Sequence, residues 1–263
     1  MEKRKKLLYL VLLFLVIITM LLSFLNKNYN NVFLCFLTII MFFIPSFIEK
    51  RLNIELPTVL ECIIILFIFS AEILGEINGY YIKIPFWDTI LHTVNGFIMA
   101  AIGFSMIDIL NNSPKLHFNM SPVFVAFVSF CFSMTIGVLW EFFEYGMDLL
   151  TLSDMQKDLI VNGISTVTLN TNLENEAVMI SNITKTVVEG NINGVATQSV
   201  IEGYLDIGLY DTMNDLIVNC IGAVSFSIIG ILYIKGRGGV AKSFIPQLKS
   251  KFKNHKSNSD EER

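Results

Sequence analysis

The sequence predicts an all-α polytopic membrane protein: six transmembrane helices, with a small mixed extracytoplasmic cap between the fifth and the sixth. Composition points there first. Of 263 residues, 53% are hydrophobic and only 16% are charged, and the mean hydropathy is +0.60. One soluble core cannot hide that much apolar surface. Second, six stretches, roughly 7–25, 31–48, 57–76, 88–110, 122–148 and 211–234, each come close to the ~20 apolar residues that a spanning helix needs. Third, lysine and arginine gather on alternate connections, as cytoplasmic loops retain them during insertion. A net charge of -4 and a pI near 5.4 exclude a nucleic-acid binder, which needs a basic face against phosphates.

The first span follows MEKRKK. Its apolar run, LLYLVLLFLVIITMLLSFL, is too long for a secretory signal and lacks a small-residue cleavage site, so it is expected to stay as a span. With the N-terminus inside, fifteen of the nineteen basic residues fall in the cytoplasm, including Lys50, Arg51, Lys115 and eight from Lys235 to Arg263. Only Lys27, Lys83, Lys157 and Lys185 lie outside. An odd number of spans would separate the basic N-terminus from the basic tail, so six spans and two cytoplasmic termini support one another. The expected location is the plasma membrane.

On this reading residues 1–148 hold helices one to five, 149–210 the cap, 211–234 helix six and 235–263 a basic, solvated cytoplasmic tail. The 62 residues of the cap are too polar to cross a bilayer and too long for a plain linker. GISTVTLN and ITKTVVEGNINGVATQSVI are rich in Val, Ile and Thr between turn residues, which favours short strands or a hairpin. Cys35, Cys62, Cys131 and Cys220 lie on four different spans without metal-ligand or redox spacing, and are read as packing residues.

Ionisable groups inside spans are expensive, at about 2.5–3.5 kcal/mol each on insertion scales, and normally face protein or water. This chain has many. The third span carries Glu72 and Glu76. The fourth opens WDTILHTVNG, with Asp88, His92 and Gly96 on one stripe, and the fifth ends WEFFEYGMD, with Glu141, Glu144 and Asp148 on one face. The sixth begins DTMNDLIVNCIGA, giving Asp211, Asp215 and Asn219 at successive turns. Laid on the charge-derived topology, all four clusters meet at the outer leaflet. Small residues continue the same stripes inward, at Gly96 and Ala100, at Ser129, Ser133 and Gly137, and at Ala223 and Ser227, so these faces point into the bundle.

So many carboxylates around one histidine require a cationic counterweight: bound divalent metal, or protons on carboxyls whose pKa is raised. The metal reading assigns Asp88, His92, Asp211 and Asp215 as ligands of Mg, Mn or Zn. It leaves Glu141, Glu144, Asp148 and Asn219 for general base and orienting work. Solvated helix ends are the bland alternative, above all for Glu72 and Glu76, nearest to water.

WDTILHTVNG, WEFFEYGMD and GYLDIGLYDTMNDLIVNCIGA together resemble the YjdF-like family of bacterial integral membrane proteins, from the third span to the sixth. More distantly, the Asp88-to-His92 spacing, the acidic pair ending a later span and the Asp215, Asn219, Gly222 pattern are similar to VanZ-like proteins. Glu144 stands where those carry a glutamine, and this cap is much longer. Neither resemblance implies a reaction. Three functions compete: a membrane enzyme acting from the outer face on a lipid-linked or cell-envelope substrate; a proton- or cation-coupled transporter; and a non-catalytic scaffold or sensor. No G-x-S-x-G or H-E-x-x-H supports a familiar hydrolase. Six spans without evident inverted repeats or a second cluster at the inner side make a through-path for transport hard to draw.

The topology is testable by itself. In a background lacking the native cysteines, an impermeant thiol reagent applied from outside should label a cysteine placed near Asn191 and spare one near Lys251. The opposite pattern would invert every assignment of sidedness above.

Overall fold

The computed structural model describes residues 2–52, 54–111, 120–151, 153–172, 175–236 and 239–248. Lys115, Arg237 and the tail beyond residue 248 lie outside them. Among the described residues, six helices are long and apolar enough to cross a membrane, within Lys3–Leu25, Tyr29–Arg51, Thr58–Ile77, Trp87–Asn111, Pro122–Leu150 and Leu209–Ile234. The chain divides into two compact units, Met1–Val138 with Asp215–Arg263, and Leu139–Asn214.

Local chemistry sets where the helices of the first unit begin and break. Helix α1 (Glu2–Leu25) is unbroken, and at ~1.5 Å per residue it is long enough for a ~30 Å hydrocarbon core. Helix α2 (Tyr29–Phe42) starts where the Asn28 side chain accepts from the Asn31 backbone N–H at 3.2 Å. The second span then divides at Phe43, and α3 (Ile44–Leu52) carries it on. Pro45 explains the break, since it has no N–H for the carbonyl of Met41. The third span begins as α4 (Thr58–Phe69) after Pro57 and widens into a π-helix over Ser70–Ile77. A short helix α5 (Tyr80–Lys83) leads to the fourth span, α6 (Trp87–Asn111). Helix α7 (Pro122–Thr151) starts with proline in the first turn and Ser121 Oγ accepting from Phe124 N at 3.3 Å. The last span is α8 (Leu209–Ile234).

Backbone approaches backbone where α6 meets α8. A Cβ on Gly96 would stand 2.1 Å from the Asn219 carbonyl oxygen, and one on Gly222 would stand 2.0 Å from that of Thr93. Only glycine permits either contact. Serines tie the same group together: Ser129 Oγ donates to Ala100 O at 2.6 Å, Ser133 Oγ to Gly96 O at 2.8 Å and Ser227 Oγ to Ala126 O at 3.3 Å. The small residues of these stripes therefore face the bundle, as their spacing predicts.

The solvated tail expected from the sequence is corrected for residues 239–248. A 3-10 turn (Val240–Ser243) leads into β8 (Gln247–Leu248), which pairs antiparallel with β1 (Ile54–Glu55) between the second and third spans. Phe244 meets the Phe97 ring edge-on at 5.3 Å, and Ile245 is fully buried with Leu60, Phe104 and Phe226. The cause is Phe244-Ile245-Pro246, an apolar triplet whose burial is favourable while Lys242 stays exposed. Nearby, Lys5 Nζ contacts Glu61 Oε2 at 2.6 Å and Glu49 accepts from the Leu56 N–H at 2.7 Å. Glu61 thus has a structural task at that end of the bundle.

In the second unit three strand pairs follow α7 among the described residues. Strand β2 (Leu159–Val161) pairs with β7 (Tyr204–Asp206), β3 (Gly163–Thr166) with β4 (Val178–Ser181), and β5 (Thr186–Ile192) with β6 (Val195–Ile201), all antiparallel. The short strands read from the Val, Ile and Thr content are present. The longest hairpin turns on Asn193-Gly194, both at positive φ (51° and 81°), the two-residue loop whose twist suits flanking strands.

The glycine contacts carry a test. Gly222→Ala should destabilise the detergent-solubilised protein by about 1–3 kcal/mol, the range for forced overpacking, whereas Gly146→Ala, with nothing within 4 Å of its Cβ position, should not. Thermal melts of the two variants side by side would check this; equal melting temperatures would show that the helix contact yields.

Candidate functional site

Asp88 and His92 lie one turn apart on α6, and Asp215 projects from α8 to meet them. One ligand atom from each falls within 4.8 Å of the other two. His92 Nε2 stands 3.4 Å from Asp88 Oδ1 and 3.8 Å from Asp215 Oδ2. Both separations exceed the ~2.7–2.9 Å of a charge-assisted hydrogen bond. His92 and Asp215 are buried, while Asp88 is partly open. The trio joins the helices that the glycines bring together: α6 supplies its pair at an i, i+4 step, and α8 reaches them because Gly96 and Gly222, close to His92 and Asp215 in the chain, remove the side chains that would hold the backbones apart.

Asn219, one turn after Asp215, is fully buried. Its Oδ1 accepts from Asn95 Nδ2 at 3.3 Å, and its Nδ2 points at Ser133 O at 3.5 Å and Met134 Sδ at 3.6 Å. Gly137 makes room for it, since a Cβ there would stand 2.8 Å from Nδ2. Asn219 therefore links α6, α7 and α8 through one amide. Asn95 was not singled out from the sequence. Its signal was available: an amide inside an apolar span, three residues after His92, on a helix already bearing two polar groups.

The remaining residues of the expected site belong to the second unit. Glu141 and Glu144 are buried, at 4% and 8% exposure, and Glu144 Oε1 accepts from Trp140 Nε1 at 2.8 Å. Asp148 closes a turn, accepting from the Met155 and Gln156 backbone N–H groups at 2.6 and 2.9 Å and from Ser153 Oγ at 2.9 Å. Asp211 likewise accepts from the Lys157 backbone N–H at 2.7 Å, and Gln156 Nε2 donates to Thr212 Oγ1 at 2.5 Å. These two aspartates, expected as catalytic residue and ligand, pin the segment after α7 to the start of α8. Asp158, in the same acidic neighbourhood, has its carboxyl pushed above the usual aspartate value, by burial first and then by Asp154, Asp206 and Asp148, with Lys157 opposing. Glu72 and Glu76 sit on the π-helix of the third span, Glu72 half-buried and Glu76 exposed.

Six apolar helices with ionisable groups gathered on α6 and α8 define a multi-pass integral membrane protein with a built polar core. The chain belongs to the family described as "Predicted membrane protein (DUF2238)", which matches residues 7–236 and is the YjdF-like family that the three motifs suggested. Over 106 residues it is 26% identical to a Thermotoga maritima protein described as uncharacterized, an alignment covering 40% of this chain and 53% of that relative. The chain thus spans about half the length of that curated relative. No solved structure matches it.

The turn built by Asp148 is open to measurement. Asp148→Ala leaves three donors without their acceptor, at about 1–3 kcal/mol for each left buried, and the Met155 and Gln156 amides should exchange hydrogen faster, with Asp88 and His92 undisturbed. Unchanged exchange at those amides would return Asp148 to the list of candidate reacting groups.

Proposed function

We propose that Asp88, His92 and Asp215 hold a divalent metal ion, and that the protein is a plasma-membrane enzyme acting from the outer face, with both termini cytoplasmic, on a lipid-linked or cell-envelope substrate. One observation carries the metal reading. The 3.4 and 3.8 Å separations from His92 Nε2 are too long for good hydrogen bonds, but ligands ~2.1 Å from a tetrahedral ion stand about 3.4 Å apart. One imidazole with two carboxylates suits Zn or Mn better than Mg, which prefers oxygen alone and keeps its waters. Such an ion supplies Lewis acidity or an activated water.

Asn219 holds the α8 backbone in register one turn from Asp215, a positioning role supported by its contacts to two other helices. Ion-coupled transport has less support, because the serine and glycine contacts among α6, α7 and α8 oppose sliding of these helices.

Metal and protons are distinguishable as counterweights. If metal is bound, elemental analysis of purified protein should find Zn or Mn, and a chelator should lower the melting temperature. Asp215→Asn should abolish that response, because ligand in hundredfold excess over Kd contributes about 2.7 kcal/mol by mass action. If protons balance the carboxylates instead, the chelator should change nothing, Asp215→Asn should fold as well as wild type or better, and alkaline pH should weaken wild type more than the variant.

A further inference from the structure

Between α4 with its π-helical extension and the first two turns of α6 lies a groove of about 180 Å³. Ile63, Leu66 and Ser70 line one wall, Trp87, Ile90 and Val94 the other. Consecutive spans run antiparallel, so Ser70 and Trp87 share the end of the groove nearest the start of α6, while Ile63 and Val94 lie at the other end. From Trp87 to Val94 the helix rises ~10 Å, about a third of a ~30 Å hydrocarbon core.

We infer that this groove seats one acyl chain of a membrane glycerophospholipid, with the ester end at Trp87 and the head group beside Asp88. Three observations on separate footings lead there. The groove is continuous with the lipid-facing surface, because two of its lining residues, Leu66 and Ile90, are also exposed apolar side chains, at 41% and 53%. Its neighbour in the folded protein is hydrocarbon, not water. Its volume lies below the ~300 Å³ at which pockets begin to enclose compact small molecules, and its length and apolar walls suit a stretch of one slender chain. Finally, the Trp87 Nε1 donor is buried without a hydrogen-bond partner, an arrangement that calls for an explanation. A small turn of the ring presents that N–H to an ester carbonyl, an acceptor that an isoprenoid chain lacks.

The placement gives the proposed reaction a substrate class. Trp87 and Asp88 are adjacent in the chain, and the groove stripe at residues 87, 90, 91 and 94 borders the stripe bearing Asp88 and His92 on the same helix. A lipid held by one chain therefore has its polar end at the metal-ligand trio. This part rests on the metal reading; occupancy of the groove does not.

The two tryptophans make the test possible. Trp140→Phe leaves Trp87 as the sole indole, and Trp87→Phe leaves Trp140, which is 44% exposed and serves as a reference. Each variant, in dodecyl maltoside micelles, is titrated with phosphatidylglycerol brominated at mid-chain. Trp87 fluorescence should be quenched saturably at about one lipid per chain and recover with unbrominated lipid, while Trp140 quenching should only track the lipid fraction of the micelle. Val94→Phe, or Ile63→Phe from the opposite wall, should remove the saturable part. Quenching of Trp87 that never saturates, or equal quenching by an ester-free brominated alkane, overturns the proposal. Loss of the chelator response with saturable quenching intact would sink the metal reading alone; the reverse combination would sink the groove alone.

Discussion

The contact between α6 and α8 is the constraint on which the rest of the bundle depends. In hydrocarbon, two apolar helix faces gain little by meeting, because lipid tails are as apolar as leucine. What holds such helices together is proximity close enough for dispersion and for polar contacts between backbones. Gly96 and Gly222 supply that proximity from opposite sides, each facing a carbonyl of the other helix. Once the helices are that close, the i, i+4 pair on α6 meets the first buried turn of α8, and Asp215 lies beside His92 without a long side chain to span the gap.

The same proximity explains why polar side chains are tolerated there. Each buried donor or acceptor must find its partner in protein, since the bilayer offers no water. Asn219 does so with atoms on two other helices, and the serines use carbonyl oxygens that already serve the helix ladder. A polar centre deep in this protein is therefore a product of tight packing and not an exception to it.

How much of this could be read in advance varied with the physics involved. The six spans were clear because about 20 apolar residues in a row have few alternatives in folded proteins. The meeting of Asp88, His92 and Asp215 was legible in part, because helical spacing fixes which residues share a face and an even number of intervening crossings brings the starts of α6 and α8 to one side, whereas Asp211, expected with them, lies apart. Other features depend on interactions that periodicity does not encode. Phe244 and Ile245 fall in a tail whose lysines read as solvated, and no periodicity announces the core of Leu60, Phe104 and Phe226 that receives Ile245. Asp148 and Asp211 resemble site carboxylates in every sequence respect; only the turn at Met155 to Lys157 reveals them as acceptors for backbone N–H groups. The break at Phe43 was implied by Pro45 but hidden inside a continuous apolar run, and the π-helix from Ser70 has no pattern by which to announce itself.

The serine bridges have a mechanical consequence. A helix that shifts by one turn along its neighbour must exchange every interhelical hydrogen bond at once, and Ser129, Ser133 and Ser227 are buried within the bundle, where the bilayer supplies no substitute partner during the exchange. The parts of α6, α7 and α8 that these serines join are therefore stiff along their length, and behave as a stator. Compliance is left to segments with broken helices and exposed flanks, the second span around Phe43 above all. Should the protein change shape as it works, the moving part is to be sought there, with the carboxylate–imidazole trio held fixed in the stator.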